Sequence, residues 1–113
     1  MGKILLLVLL VCSIFFACAK SEMKPRLSEE LMVAILCDMH AAEAAINNLY
    51  GLNRDSMFGV YHEQIFTIHK VKQEDFEQSL HVWENNPKEM EKLYEKVNQR
   101  LSKMSNTSGY TEK

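Results

Sequence analysis

The sequence predicts an all-α protein, a compact array of about four amphipathic helices that follows an apolar N-terminal segment. Apolar residues recur at helical spacing in four successive segments, and no strand-like alternation of useful length competes with them. Apolar residues make up 47% and charged residues 25% of the chain, which excludes a collagen-like or wholly disordered chain. The length of 113 residues allows one domain.

The first 17 residues have the pattern of an export signal. Lys3 gives a positive start, an apolar run begins at Ile4, and the small residue Ala17 closes the segment. The run of about 15 apolar residues falls short of the roughly 20 that a helix needs to span a bilayer. We therefore predict a signal peptide over residues 1–17, with a retained membrane helix as the alternative.

A cysteine directly follows this segment, in the sequence Phe15-Phe16-Ala17-Cys18. These residues resemble the lipobox of bacterial lipoproteins, in which a small residue precedes a Cys that is acylated. Ala17 and Cys18 match the pattern, whereas Phe15 departs from it because Leu is commoner there. The resemblance implies a covalent lipid at Cys18, whose buried CH₂ groups each contribute about 0.8 kcal/mol to membrane binding. The alternative is an ordinary secretory signal with an incidental Cys18.

The remaining chain is divided by its composition. We predict a lipidated Cys and a polar tether over residues 18–27, a helical domain over residues 28–104 and a flexible tail over residues 105–113. Once the signal is removed and Cys18 is acylated, Cys37 is the one thiol left, so no internal disulfide can form. Cys37 lies beside apolar positions of a helical pattern and is expected to be a buried small hydrophobe.

The first two helices are predicted from their start and stop signals. One starts after Ser28, a good N-cap, and ends near Tyr50 with Gly51 as the stop. The next starts after Asp55 or Ser56 and runs to about residue 69 or 70.

The last two helices are separated by an Asn-Asn-Pro break. The third spans about residues 73–84, with Val71 and Phe76 at the positions of a hydrophobic staple. In the fourth, Asn86 is the N-cap and Pro87 the first helical residue, and the helix runs to about Met104.

Glu43 is the most informative polar position of the first helix. On a helical wheel it lies near the middle of the apolar stripe, between Met39 and Ile46. A carboxylate there is expected to be buried, which costs several kcal/mol unless it is paired or hydrogen-bonded. It either bonds the hydroxyl of Tyr61 or Tyr94, a His or a helix N-terminus, or it contacts a ligand or partner. A general acid–base role is the least favoured alternative.

Nearby histidines extend this position to a candidate polar or ligand site of Asp38, His40, Glu43, His62 and His69. His40 and Glu43 are three residues apart and share a helix face, as do His62 and His69, which are seven apart. Two His and one carboxylate could hold a divalent metal. The alternative is a buried hydrogen-bond network that orients the first two helices.

A resemblance to a known family rests on several short segments. They are Pro25, Asp38-Met39-His40, Glu43-Ala44-Ala45, the segments Tyr61 to His69 and Phe76 to Leu80, and Pro87 with Leu93 and Tyr94. With these residues the mature chain resembles a family of small Bacteroidota envelope lipoproteins with a helical domain of unknown function. Members often have Thr or Ser capping the third helix, where this chain has Lys72. The resemblance implies an envelope lipoprotein and supplies no catalytic residues.

The motifs of common enzymes are missing from the sequence, which has no Gly-rich phosphate loop, Ser/His/Asp arrangement or CxxC. A net charge of −2 without a basic cluster excludes an obvious nucleic-acid binder. We expect a non-enzymatic interaction or structural module, lipid-anchored in the cell membrane or outer membrane, facing the periplasm or the cell surface. Its expected partners are the membrane and an envelope protein, with no cofactor beyond the lipid at Cys18. The alternative is a small-ligand or metal-binding domain that uses Glu43 and nearby His.

Overall fold

The computed structural model describes residues 1–15, 22–48 and 54–108, and every regular element among them is a helix. The helices are α1 (Gly2–Phe15), α2 (Glu29–Asn47), α3 (Arg54–His69), α4 (Gln73–Glu84) and α5 (Pro87–Thr107). The all-α prediction is confirmed, and the four predicted amphipathic helices correspond to α2–α5.

Helix α1 covers most of the predicted signal peptide. The side chains from Ile4 to Leu10 are 58–69% exposed, and α1 takes part in none of the principal helix packings. Within the described residues, no helix combines the length and apolarity that a membrane crossing requires. The structure is extended, with dimensions of 90 × 32 × 24 Å. The predicted compact array of helices therefore applies to α2–α5 and does not include α1. The signal peptide itself stays a prediction.

Helix α2 is the centre of the helical array, because it packs against both α3 and α5, and α5 in turn contacts α4. Five large side chains of the array are fully buried: Met32, Ile35 and Ile46 of α2, and Leu93 and Val97 of α5. Removing a side chain of this size from water stabilises the fold by about 1.5–3 kcal/mol. The remaining members of the core are Val33, Leu36, Cys37, Ile65, Phe66, Phe76 and Trp83.

Helix α2 begins where the sequence predicts but ends earlier than predicted. Ser28 is the N-cap as predicted, and its Oγ accepts a hydrogen bond of 3.3 Å from the Leu31 N–H. The helix ends at Asn47, earlier than the end predicted near Tyr50. Tyr50 and the predicted stop at Gly51 lie outside the described residues.

The turn from α3 to α4 uses a residue in the left-handed region. Lys70 has φ 54°, and around it the Lys70 N–H donates to Thr67 O and the Val71 N–H to Phe66 O. This pair of bonds is a Schellman closure, in which glycine usually occupies the left-handed position. The turn brings Val71 against the core next to Phe76, as expected for the predicted staple.

Helix α4 spans the predicted residues, and its N-cap Lys72 makes no side-chain capping bond. Helix α5 starts at Pro87 as predicted and continues to Thr107. The prediction of a flexible tail from residue 105 is therefore wrong for residues 105–107. One main-chain and one side-chain hydrogen bond close this last turn: the Ser108 N–H donates to Met104 O, and the Thr107 hydroxyl donates to Lys103 O. Residues 109–113 of the predicted tail lie outside the described residues.

Candidate functional site: the docked strap and the polar contacts of α2 and α3

The N-terminal end of the domain is a strap, defined here as residues 22–27, that lies along α4. Three hydrogen bonds hold it there. The Leu27 N–H donates to Ser79 Oγ at 2.9 Å, the Arg26 N–H donates to Gln78 Oε1 at 3.0 Å, and Gln78 Nε2 donates to Lys24 O at 3.0 Å. Residues 24–27 of the predicted tether are therefore docked on the domain, and are not part of a free spacer.

Ser79 is the centre of this contact. It is fully buried, and it is the one buried polar side chain among the residues that the structure describes. Its hydroxyl accepts a hydrogen bond from the Leu27 N–H and donates one to Asp75 O at 2.7 Å, so the hydroxyl is satisfied both as a donor and as an acceptor. An unsatisfied buried donor or acceptor costs about 1–3 kcal/mol. The position of the strap on α4 is thus specified at this residue.

A partly exposed ion pair also joins the strap to α4. Arg26 Nη1 lies 3.0 Å from Asp75 Oδ1, and the two side chains are 57% and 32% exposed. A pair this exposed contributes about 0–1 kcal/mol. The buried hydroxyl of Ser79 therefore matters more to docking than the visible salt bridge.

The strap has a direction that determines where the chain leaves the domain. Its residues 24–27 bond to Gln78 and Ser79, in the middle of α4. Strap residues 22–25 line a groove at the C-terminal end of α4. The other side chains that line this groove include Val82, Trp83, Asn85, Asn86 and Glu89. The chain therefore leaves beside the α4–α5 turn, defined here as Asn85 and Asn86.

Sequence reasoning missed the strap because its partners are 52 residues away along the chain. Ser79 lies next to Leu80 on α4 and carries no local signal of burial. Pro25 was a usable signal, since a proline and the residue before it favour an extended backbone that offers its polar groups to a neighbour.

Asp38 and His69 of the candidate site meet across the interface of α2 and α3. Asp38 Oδ2 lies 2.6 Å from His69 Nε2, with the His side chain 16% exposed and the Asp side chain 43% exposed. His69 is the last residue of α3, so the contact fixes the end of this helix on α2. Of the alternatives drawn from the sequence, this pair matches a hydrogen bond that orients the two helices.

Glu43 is not buried, and the prediction of a carboxylate in the core is wrong. Its side chain is 54% exposed, and its Oε2 lies 4.0 Å from His40 Nδ1. The helical wheel gives the angular position of Glu43 correctly but not how far the partner helices extend along α2. On α2, the last residue that packs against the core cluster is Ala42. Among the described residues of α2 that follow Ala42, Ile46 is the one that is buried.

His40 and His62 have different neighbours. The ring of His40 lies 6.4 Å from that of Tyr94 on α5. The ring of His62 lies 4.2 Å from Phe58 and 6.4 Å from Phe66. The five candidate residues therefore form separate groups. In the described parts of the chain, no three or more His, Cys, Asp or Glu are placed to hold a metal ion.

His62 belongs to an open groove between α3 and α4. The groove has a volume of about 670 Å³, and Phe66, Val71 and Phe76 form its apolar part. Glu63 and Glu77 are among its polar lining residues. Its shape is that of a surface depression between two helices, separate from Glu43 and His40.

Cys37 is buried, as predicted, with 1% of its surface exposed. Its Sγ lies 3.7 Å from Val97 O on α5. Burial, with a smaller contribution from Asp38, raises the pKa of the thiol above its ordinary value. The thiol therefore stays protonated at neutral pH and fills space in the core.

Replacing Ser79 by Ala tests the strap. The substitution leaves the Leu27 N–H without its acceptor, and we expect the free energy of unfolding to fall by about 1–3 kcal/mol. Denaturant unfolding of Ser79→Ala and of the control Ser102→Ala, an exposed position of α5, measures the difference. Equal stability of the two variants would contradict the docking.

A double-mutant cycle tests the contact between Asp38 and His69. We expect a coupling energy of about 0.5–1.5 kcal/mol between Asp38→Ala and His69→Ala, because the bond is short and its His side is largely buried. The cycle of His40→Ala with Glu43→Ala is the control, with an expected coupling below about 0.5 kcal/mol for an exposed pair. A coupling for Asp38 and His69 no larger than the control would remove their role in orienting α3.

Comparison with known proteins assigns the domain to a family. Residues 24–107 match the family described as Domain of unknown function (DUF4296), which is 84 of the 113 residues. No curated protein and no solved structure matches the chain significantly. The matched segment starts in the strap and ends with the last residue of α5, so it includes the docked residues 24–27. The chain belongs to the DUF4296 family, a helical domain of unknown function.

Proposed function

We propose that this protein is a lipid-anchored, non-catalytic interaction module of the bacterial cell envelope. The observation that supports the proposal is the arrangement at its N-terminus. A short apolar segment ends at Ala17 and Cys18, and the family domain begins only six residues further on, at Lys24. An acyl acceptor at this position attaches the domain directly to the membrane.

The docked strap makes this attachment short. Six residues of fully extended chain reach about 20 Å, at roughly 3.3–3.6 Å per residue. Because residues 24–27 are bound to α4, no further length can be drawn from them while the strap stays docked. The domain is therefore held close to the lipid surface, in the cell membrane or the outer membrane, and faces the periplasm or the cell surface.

The polar side chains of the domain support a non-enzymatic role. Asp38 and His69 bond each other at a helix interface, and Cys37 is buried in the core. These groups are occupied by structural contacts and do not converge on one open site. No cofactor is part of the proposal beyond the covalent lipid.

A surface for an envelope protein partner is available on α3. Phe58, Val60 and Ile68 are 40%, 47% and 71% exposed. Phe58 stacks on His62, which lines the groove between α3 and α4, whereas Val60 and Ile68 lie on other faces of α3. Phe58 together with the apolar lining of the groove, Phe66, Val71 and Phe76, is the apolar surface that we assign to the partner, since contiguous exposed apolar surface marks interaction sites.

Replacing Cys18 by Ala tests the anchor. We expect Cys18→Ala to lose incorporation of a palmitate analogue and to leave the membrane fraction, because the acyl chains supply the membrane affinity. Metabolic labelling and fractionation of cells measure both. Cys12→Ala is the matched control, since Cys12 follows bulky Val11 in the apolar segment, and it should keep both label and membrane association. A Cys18→Ala protein that stays labelled and pelleted would refute the anchor.

A further inference from the structure

We propose that the α4–α5 turn is the membrane-facing end of the domain, and that the surface it meets is the bilayer to which Cys18 is attached. The inference rests on the proposed lipid anchor and adds an orientation to it. The C-terminal end of α5 is then the end that points away from the membrane.

The course of the strap carries this orientation. The strap leaves Ser79 and runs to the end of α4, where its residues 22–25 line a groove with Asn85 and Asn86. Glu22 is four residues from Cys18, which is about 14 Å of extended chain at most. The lipid is therefore attached within about 14 Å of the part of the strap that borders the turn.

Helix α5 gives the domain its length away from this point. It starts at Pro87, directly after the turn, and has 21 residues. At 1.5 Å per residue it is about 30 Å long. Ser105, near its far end, lies about 28 Å from Asn86 along the helix axis. If the α4–α5 turn contacts the bilayer and α5 is perpendicular to it, the two ends of α5 therefore differ in their distance from the bilayer by most of the helix length.

The competing orientation is one in which α5 lies flat on the bilayer. Anionic leaflets attract clusters of basic side chains, and the exposed residues Lys88, Lys92, Lys96, Arg100 and Lys103 recur every three or four positions along α5. Two of them are paired with carboxylates, Lys92 with Glu89 and Lys96 with Glu29, and residues 18–113 have 12 basic and 15 acidic side chains, a formal charge of −3. A flat α5 would hold its two ends at the same distance from the bilayer, so a distance measurement at the two ends separates the two orientations.

The end that we assign to the membrane also presents an exposed apolar side chain. Met23, on the strap, is 64% exposed. It lies on the same side as the polar Asn85 and Asn86. A single apolar side chain among polar amides suits contact with the headgroup region.

Energy transfer to the membrane tests the orientation. The full chain is expressed with Asn86→Cys or with Ser105→Cys, and a donor fluorophore is attached to the new thiol. Both positions are exposed, and the buried Cys37 should not react. The lipoprotein is reconstituted in vesicles of phosphatidylethanolamine and phosphatidylglycerol that contain a headgroup-labelled acceptor lipid. With Asn86 about 28 Å nearer to the bilayer, we expect roughly twofold or greater transfer efficiency at this position than at Ser105.

Mass spectrometry of the same samples separates the two ways of failing. An acylated protein with equal transfer at the two positions, or with greater transfer at Ser105, overturns the orientation and leaves the anchor intact. A protein without acyl mass that does not attach to vesicles overturns the anchor and the orientation together.

Release of the strap gives a second readout. Gln78→Ala removes the hydrogen bonds to Arg26 and Lys24, so the difference between the two labelled positions should shrink. Gln64→Ala, at an exposed position of α3, is the matched control and should leave the difference unchanged. A difference that is unaffected by Gln78→Ala contradicts the role of the strap in orienting the domain.

Discussion

The hydroxyl of Ser79 is the polar contact on which the N-terminal half of the domain depends. It is fully buried, and it joins the Leu27 N–H to the main chain of α4 through two hydrogen bonds. Ser28, which follows Leu27 directly, is the N-cap of α2. The position of the strap therefore sets where α2 begins, and α2 is the helix that contacts both α3 and α5.

The remaining contacts refine an arrangement that apolar burial has already selected. Met32 and Ile35 on α2 pack with Leu93 and Val97 on α5 as fully buried side chains, and such burial is the dominant favourable term in folding. The contact of Asp38 with His69 then fixes the far end of α3. Polar groups in this domain specify the angle and register of helices whose association is driven by apolar surface.

Much of the fold could be predicted from local signals. The bounds of α4, the start of α5 at Pro87 and the cap at Ser28 follow from capping residues and periodicity, which act within a few positions. The errors are long-range. The periodicity predicts Glu43 in the core because a helical wheel does not show where a partner helix ends, and it does not predict the strap because Ser79 is 52 residues from Leu27. Among the candidate site residues, Asp38 and His69 are brought together across α2 and α3, His40 and Glu43 are neighbours on α2, and His62 lies apart from both pairs against Phe58.

Amide hydrogen exchange of Leu27 tests most directly whether the strap is part of the domain. Its N–H donates to a buried side-chain oxygen, and such an amide exchanges only when the local structure opens. The docked strap predicts protection of the Leu27 amide similar to that of amides in the middle of α4. Exchange at the rate of an unstructured chain, with α4 still protected, would contradict the account and would make residues 24–27 a free tether.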